Sequence, residues 1–223
     1  MNFLLSLLED KQTEFLDGWD KTQYKINPDH SVDMLEHIQI NGQDLEALNI
    51  DYIPVKFKNS KNFTYVETSG ILTSLKNSPV YVDGFYNIVA GYKLTSLVGS
   101  PEEVTGNYNV SGNYTSLEGM PKIIGNTVQL LSRKLSSLED IGSYCESIGN
   151  ELVIRPGCIK SHMLGVLKIK NLKRIGFLTD TGAYPEIVWK ATKIINNHLK
   201  SNRNIRKCQA ELEDAGLEEF AQL

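Results

Sequence analysis

Apolar positions return along the middle of the chain at a fixed step. ILTSLKNSPVYVDGFYNI from Ile71, LTSLVGSPEEVTGNYNV from Leu94, YTSLEGMPKIIGNTVQL from Tyr114 and LSSLEDIGSYCESIGNELVI from Leu135 align with one another. Their anchoring leucines, Leu75, Leu97, Leu117 and Leu138, stand 22, 20 and 21 residues apart. Pro79, Pro101 and Pro121 keep a step of 22 and then 20. Ile50, Ile53 and Pro54 extend the series upstream. IGNELVI from Ile148 and GVLKIKNLKRI from Gly165 extend it downstream. Self-similarity at such a period predicts a solenoid, because one copy cannot bury its apolar side but stacked copies can.

Each copy holds a leucine-bearing segment, a proline turn and a second apolar segment. The second segments, VDGFYNI, VTGNYNV and IGNTVQL, alternate enough to be strands. Gly84, Gly106 and Gly125 recur just ahead of them, where a glycine permits positive φ or close approach of neighbouring copies. Leu72, Leu75, Leu94, Leu97, Leu117, Leu135 and Leu138 are expected to fill the core. The Thr-Ser and Ser-Ser pairs beside them are expected in turns or on strand surfaces.

The ends read differently. An amphipathic helix is expected over about residues 2 to 16, with Phe3, Leu4, Leu7, Leu8 and Phe15 on one broad face. The apolar run is too short for a signal-peptide core or a membrane span. A polar linker carrying Trp19 and Tyr24 follows. Near the other end, Pro185 to Lys200 places Ile187, Val188, Ala191, Ile194, Ile195 and Leu199 on one helical face. A last helix is expected from about Asn204 to Ala215, stopped by Gly216. The division expected is 1–34, N-terminal helix and linker; 35–178, repeats; 179–223, helical cap.

The motif LTSLxGxPxxVxGxYxV resembles the leucine-rich-repeat-like proteins of tailed bacteriophages, which carry tandem copies of a similar unit. YIPVKFKNSKNF at Tyr52–Phe63, IKSHMLGVLKIKNLKRI at Ile159–Ile175 and CQAELEDAGLEEFAQL at Cys208–Leu223 are similar to further blocks of that group, in the same order. The resemblance spans roughly residues 28 to 223. It departs where the usual cysteine of the strand half appears as Ile88 or Val110. It implies an α+β fold: a leucine-rich-repeat-like β solenoid of about 20–22 residues per turn, with an N-terminal helix and a C-terminal helical cap. It carries over no catalytic residue. Against the common leucine-rich form, Leu-x-x-Leu here runs into glycine or asparagine and proline, so two short β segments per coil are expected rather than a helix-backed horseshoe.

Composition narrows the function. The 223 residues are 41% hydrophobic with a net charge of −4, so the global balance does not argue for nucleic acid. Cys145, Cys158 and Cys208 form no Cys-x-x-Cys pair, and reduced thiols in the cytoplasm are expected. His30, His37, His162 and His198 have no metal-ligand spacing. No phosphate-loop, zincin or nucleophile-elbow motif occurs. The triplet Asp180-Thr181-Gly182 reads as a turn. No cofactor, metal or membrane is expected.

A non-enzymatic protein-binding role is therefore the leading expectation, directed at a host or host-defence protein. Candidate contacts are Tyr81, Tyr86, Tyr92, Tyr108, Tyr114 and Trp19; exposure in one row would mark a binding stripe. Charge supplies the alternative. From Lys168 to Lys207 ten basic residues face only Asp180 and Glu186. Lys168, Lys170, Lys173, Arg174, Lys190, Lys193, Arg203, Arg206 and Lys207 are candidates for an acidic partner, nucleic acid included. A structural part in a phage assembly is the third reading.

Overall fold

The computed structural model describes residues 11–67, 70–155, 159–178 and 186–223. Residues 11–17 form helix α1, which buries Phe15 and Leu16. Strands β1 (Tyr24–Ile26) and β2 (Val32–Asn41) pair antiparallel. A short helix, α2 (Gly42–Ala47), leads toward β3 (Phe57–Val66), which lies parallel to β2.

Two branches of parallel strands leave β3. Asn59 and Ser60 pair with β4 (Tyr81–Val82), whereas Phe63–Val66 pair with β5 (Tyr86–Val89). The short branch continues through β6 (Glu103–Val104), β8 (Ile123–Ile124) and β10 (Ser147–Ile148). The long branch continues through β7 (Tyr108–Gly112), β9 (Val128–Ser132), β11 (Glu151–Ile154) and β12 (Arg174–Phe177). Helix α3 (Ile141–Tyr144) and a 3-10 turn, Leu164–Lys168, sit in the last connections. Helices α4 (Glu186–Lys200) and α5 (Ile205–Asp214) follow.

The expected leucine-rich-repeat-like β solenoid is corrected by this topology. The fold is mixed α/β, built on one open parallel sheet with ten strands in unbroken order from β10 to β12, not a closed solenoid. The reason lies in β3. Its ten residues are long enough to serve both branches, so segments that the repeat presents as two per copy are hydrogen-bonded into one sheet. Strand β2 runs across residue 34, where the linker was expected to end.

The repeat itself appears as registration between strands. One inward row reads Ile38, Phe63, Tyr86, Tyr108, Val128, Leu152 and Ile175, all buried. Phe63 stacks on Tyr86 at 5.4 Å between ring centroids, and Tyr86 on Tyr108 at 5.6 Å. Leu75, Leu97, Leu117 and Leu138 are buried as expected, each contributing about 2 kcal/mol of transfer free energy. The serine before each leucine accepts a hydrogen bond from the backbone N–H two residues on, at 3.1, 3.1, 3.1 and 2.9 Å for Ser74, Ser96, Ser116 and Ser137. That small turn places the leucine inward and starts the bend toward the proline. Gly125 answers the other need: a Cβ there would lie 1.9 Å from the carbonyl oxygen of Thr105, so the neighbouring turn after β6 leaves no room.

At the C-terminal end, Val188, Ala191, Ile195 and Leu199 of α4 are buried. Ile187 is exposed and Ile194 only partly buried, so the apolar stripe is narrower than the one expected. Asn204 caps α5, its side chain accepting from the Lys207 N–H at 3.0 Å, and Gly216 takes a φ of +72° just beyond it. Leu217, Phe220 and Ala221 then bury the tail. The carbonyls of Glu219 and Phe220 accept from the N–H groups of His162 and Met163.

Candidate functional site

In a parallel sheet the loops after the strands collect at one end, where ligand-binding groups are free of the ladder. Here the loops after β5, β7, β9 and β11 enclose a cleft of about 330 Å³. Tyr92, Arg133 and Arg155 line it, with Gly91, Ser111 and Asn113.

Its walls are held from behind. Glu67, buried at the end of β3, accepts from the Tyr65 hydroxyl at 2.7 Å, from the N–H groups of Ile71 and Leu72 at 2.7 and 3.1 Å, and from the Gly91 N–H at 2.8 Å. The Asn113 amide donates to the Tyr92 carbonyl at 2.9 Å. The Ser111 hydroxyl donates to the Ala90 carbonyl at 3.1 Å. Gly70, at φ +71°, lies against the Tyr92 ring, where a Cβ would come within 2.9 Å of the ring edge. The ring therefore has a fixed backing and stays 65% exposed. No carboxylate is among the described residues lining the cleft, which carries the two guanidinium groups of Arg133 and Arg155, with Glu67 behind the Gly91 wall.

Tyr86, Tyr108 and Tyr114 are corrected as candidate contacts, and the five tyrosines form no exposed row. Tyr86, Tyr108 and Tyr114 are fully buried; only Tyr92 and Tyr81, at 36%, are exposed among the five. Strand alternation turns Tyr86 and Tyr108 inward with Ile88 and Val110, and both hydroxyls pair with serines, Ser78 and Ser100, at 2.9 Å. The Tyr114 hydroxyl donates to the Val110 carbonyl at 3.0 Å. Burial pushes all three phenols well above the ordinary tyrosine range. Tyr92 lies beyond the end of β5, whereas Tyr81 belongs to the short branch, so the two share no row. Trp19 is half-buried and packs on Phe15, with ring centroids 5.4 Å apart.

The basic candidates divide by surroundings. Arg174 and Lys193 come together with Lys200 in a groove of about 380 Å³ between β12 and α4. Trp189, 54% exposed, and Phe177 stand in the same groove. The Asn196 side chain fixes α4 against the strand, accepting from the Ile175 N–H at 2.7 Å and donating to the Ile175 carbonyl at 3.0 Å. Arg174 also meets Glu151 at 2.8 Å. Lys190 pairs with Glu186 at 3.0 Å on the exposed side of α4. Arg203 is corrected as a partner-binding candidate: its guanidinium donates to the carbonyls of Ile169 and Leu172 and ties the turn between α4 and α5 to the segment before β12. Lys168, Lys170 and Lys173 are exposed around the 3-10 turn, and Arg206 and Lys207 are exposed on α5.

Arg133, Arg155 and Trp189 did not stand out in the sequence. Trp189 had an available signal, since it lies four residues before Lys193 on one helical stripe. The arginines had none, because they stand outside the repeated motif. Asp180-Thr181-Gly182 and Cys158 lie outside the described residues. No described helix is long and apolar enough to cross a membrane. Among the described residues, no cluster of three or more His, Cys, Asp or Glu could hold a metal ion. Comparison with protein families, with curated proteins and with solved structures gives no match.

Proposed function

We propose that this chain is a non-catalytic binding protein that engages another protein through the cleft formed by Tyr92, Arg133 and Arg155. The observation that carries the reading is Tyr92, a large ring held 65% exposed on a rigid backing beside two arginines. Tyrosine and arginine are the side chains that dominate protein interfaces when a partner covers them. The loops are already hydrogen-bonded to one another and to Glu67, so little conformational entropy is lost on binding. The resemblance to phage proteins points to a host or host-defence protein as the partner, met in the cytoplasm of an infected bacterium.

The test compares tagged baits in nuclease-treated host lysate. A protein held by the wild-type chain and by Tyr81→Ala, but lost with Tyr92→Ala plus Arg155→Ala, supports the reading. The double variant should weaken the purified complex by about tenfold or more. A partner that the double variant retains at full affinity would remove the cleft from the function.

A further inference from the structure

We infer that the groove between β12 and α4 is a binding site for single-stranded nucleic acid, separate from the Tyr92 cleft and independent of the reading given to it. Trp189, Lys193, Asn197 and Lys200 follow one another at four, four and three residues along α4. They form one stripe about 16 Å long at the ordinary helical rise. Across the groove, β12 contributes Arg174 and Phe177. The floor is rigid because the Asn196 amide bonds both polar groups of Ile175.

The combination is what an unpaired strand requires. Its bases expose π-faces that stack on an aromatic ring, and its phosphates need cations along the same track. Trp189 supplies an exposed ring, and Lys193 and Lys200 supply cations on the same stripe. No carboxylate is among the described lining residues; Glu151, just outside the lining, lies against Gly176 and is paired with Arg174. An acidic peptide would use the lysines but would leave the indole face unmatched. A duplex would offer no free base face to it. The net charge of −4 belongs to the whole chain; the described residues lining the groove include Arg174, Lys193 and Lys200 and no carboxylate.

The experiment uses the full chain with Trp19→Phe, which leaves Trp189 as the single tryptophan. Oligothymidylate is titrated while indole fluorescence is read, and a labelled oligonucleotide gives the affinity by anisotropy. The expected result is saturable quenching, with log affinity falling against log salt at a slope of about −2 for three phosphate contacts. In the anisotropy assay, Trp189→Ala should weaken binding at least about fivefold, with Trp189→Phe recovering part of the loss. Lys193→Glu plus Lys200→Glu should abolish it, while circular dichroism confirms the native fold. Absence of saturable binding overturns the inference. So does binding indifferent to these variants. Polyglutamate competing at equal charge concentration with equal affinity would also overturn it, and would assign the groove to acidic peptides.

Discussion

Glu67 shows how much can depend on one side chain. It is a buried carboxylate that serves a tyrosine hydroxyl and three backbone N–H groups from two loops. Without it four donors would be left unmatched in the interior, and a buried polar group without a partner costs about 1–3 kcal/mol. Glu67→Ala is expected to destabilise the fold by about 3 kcal/mol, read as a lower denaturation midpoint. Glu67→Gln, which keeps the shape but turns one acceptor into a donor, should cost about half of that. Gly91 is one of the four partners, so the alanine variant should also lose the order of the Tyr92 loop.

At the scale of the element, the turn and the strand that follows form a unit whose parts are separately constrained. The serine Oγ sets the turn, the leucine fills the core, and the glycine lets the next strand approach. Gly125→Ala tests the last of these. Its Cβ would meet the Thr105 carbonyl at 1.9 Å, so β8 or β6 must shift. A loss of about 2 kcal/mol or more in urea unfolding is expected, against a far smaller effect for Ser116→Ala in the exposed turn of the same copy.

This unit is also where the sequence was most legible. A side chain that repeats at 20 to 22 residues does so because it stands beside its equivalent, and Leu75, Leu97, Leu117 and Leu138 could be placed in the core from spacing alone. The tyrosines could not be sorted as easily. Tyr86 and Tyr92 are six residues apart and look alike, yet one follows strand alternation into the core and the other lies past the strand end. The architecture was hidden for a different reason. The repeat reports which residues align, but the joining of both branches is a property of β3, which precedes the clear copies. The site residues Arg133, Arg155 and Trp189 answer to a surface, and a surface imposes no period.

For the molecule as a whole, the buried phenols make stability a function of alkalinity. Tyr65, Tyr86, Tyr108 and Tyr114 all have their ionisation pushed upward, first by burial. Burial likewise pushes the Cys145 thiol up to about 12 from an ordinary 9.0. A native value above the unfolded one means that stability is intact while both states remain protonated. As pH rises past 9.0 for Cys145, and past 10.0 for the tyrosines, the unfolded chain releases protons that the native chain retains, so stability falls. Spectrophotometric titration should therefore find four of the ten tyrosines silent until the chain unfolds, when they ionise together. Smooth titration of all ten in a folded chain would contradict the burial of these four.

The Asn196 amide has a meaning beyond holding a helix in place. A parallel sheet built from repeating units is a growing polymer: each strand presents the next with the same row of donors and acceptors. At Ile175 the group that answers is not a further strand but a side-chain amide, which has the chemistry of a peptide unit and none of its continuation. Asn196 is in that sense a chain terminator. It helps hold the number of strands finite, and it allows copies to be gained or lost in the interior of the array while the same stop closes it.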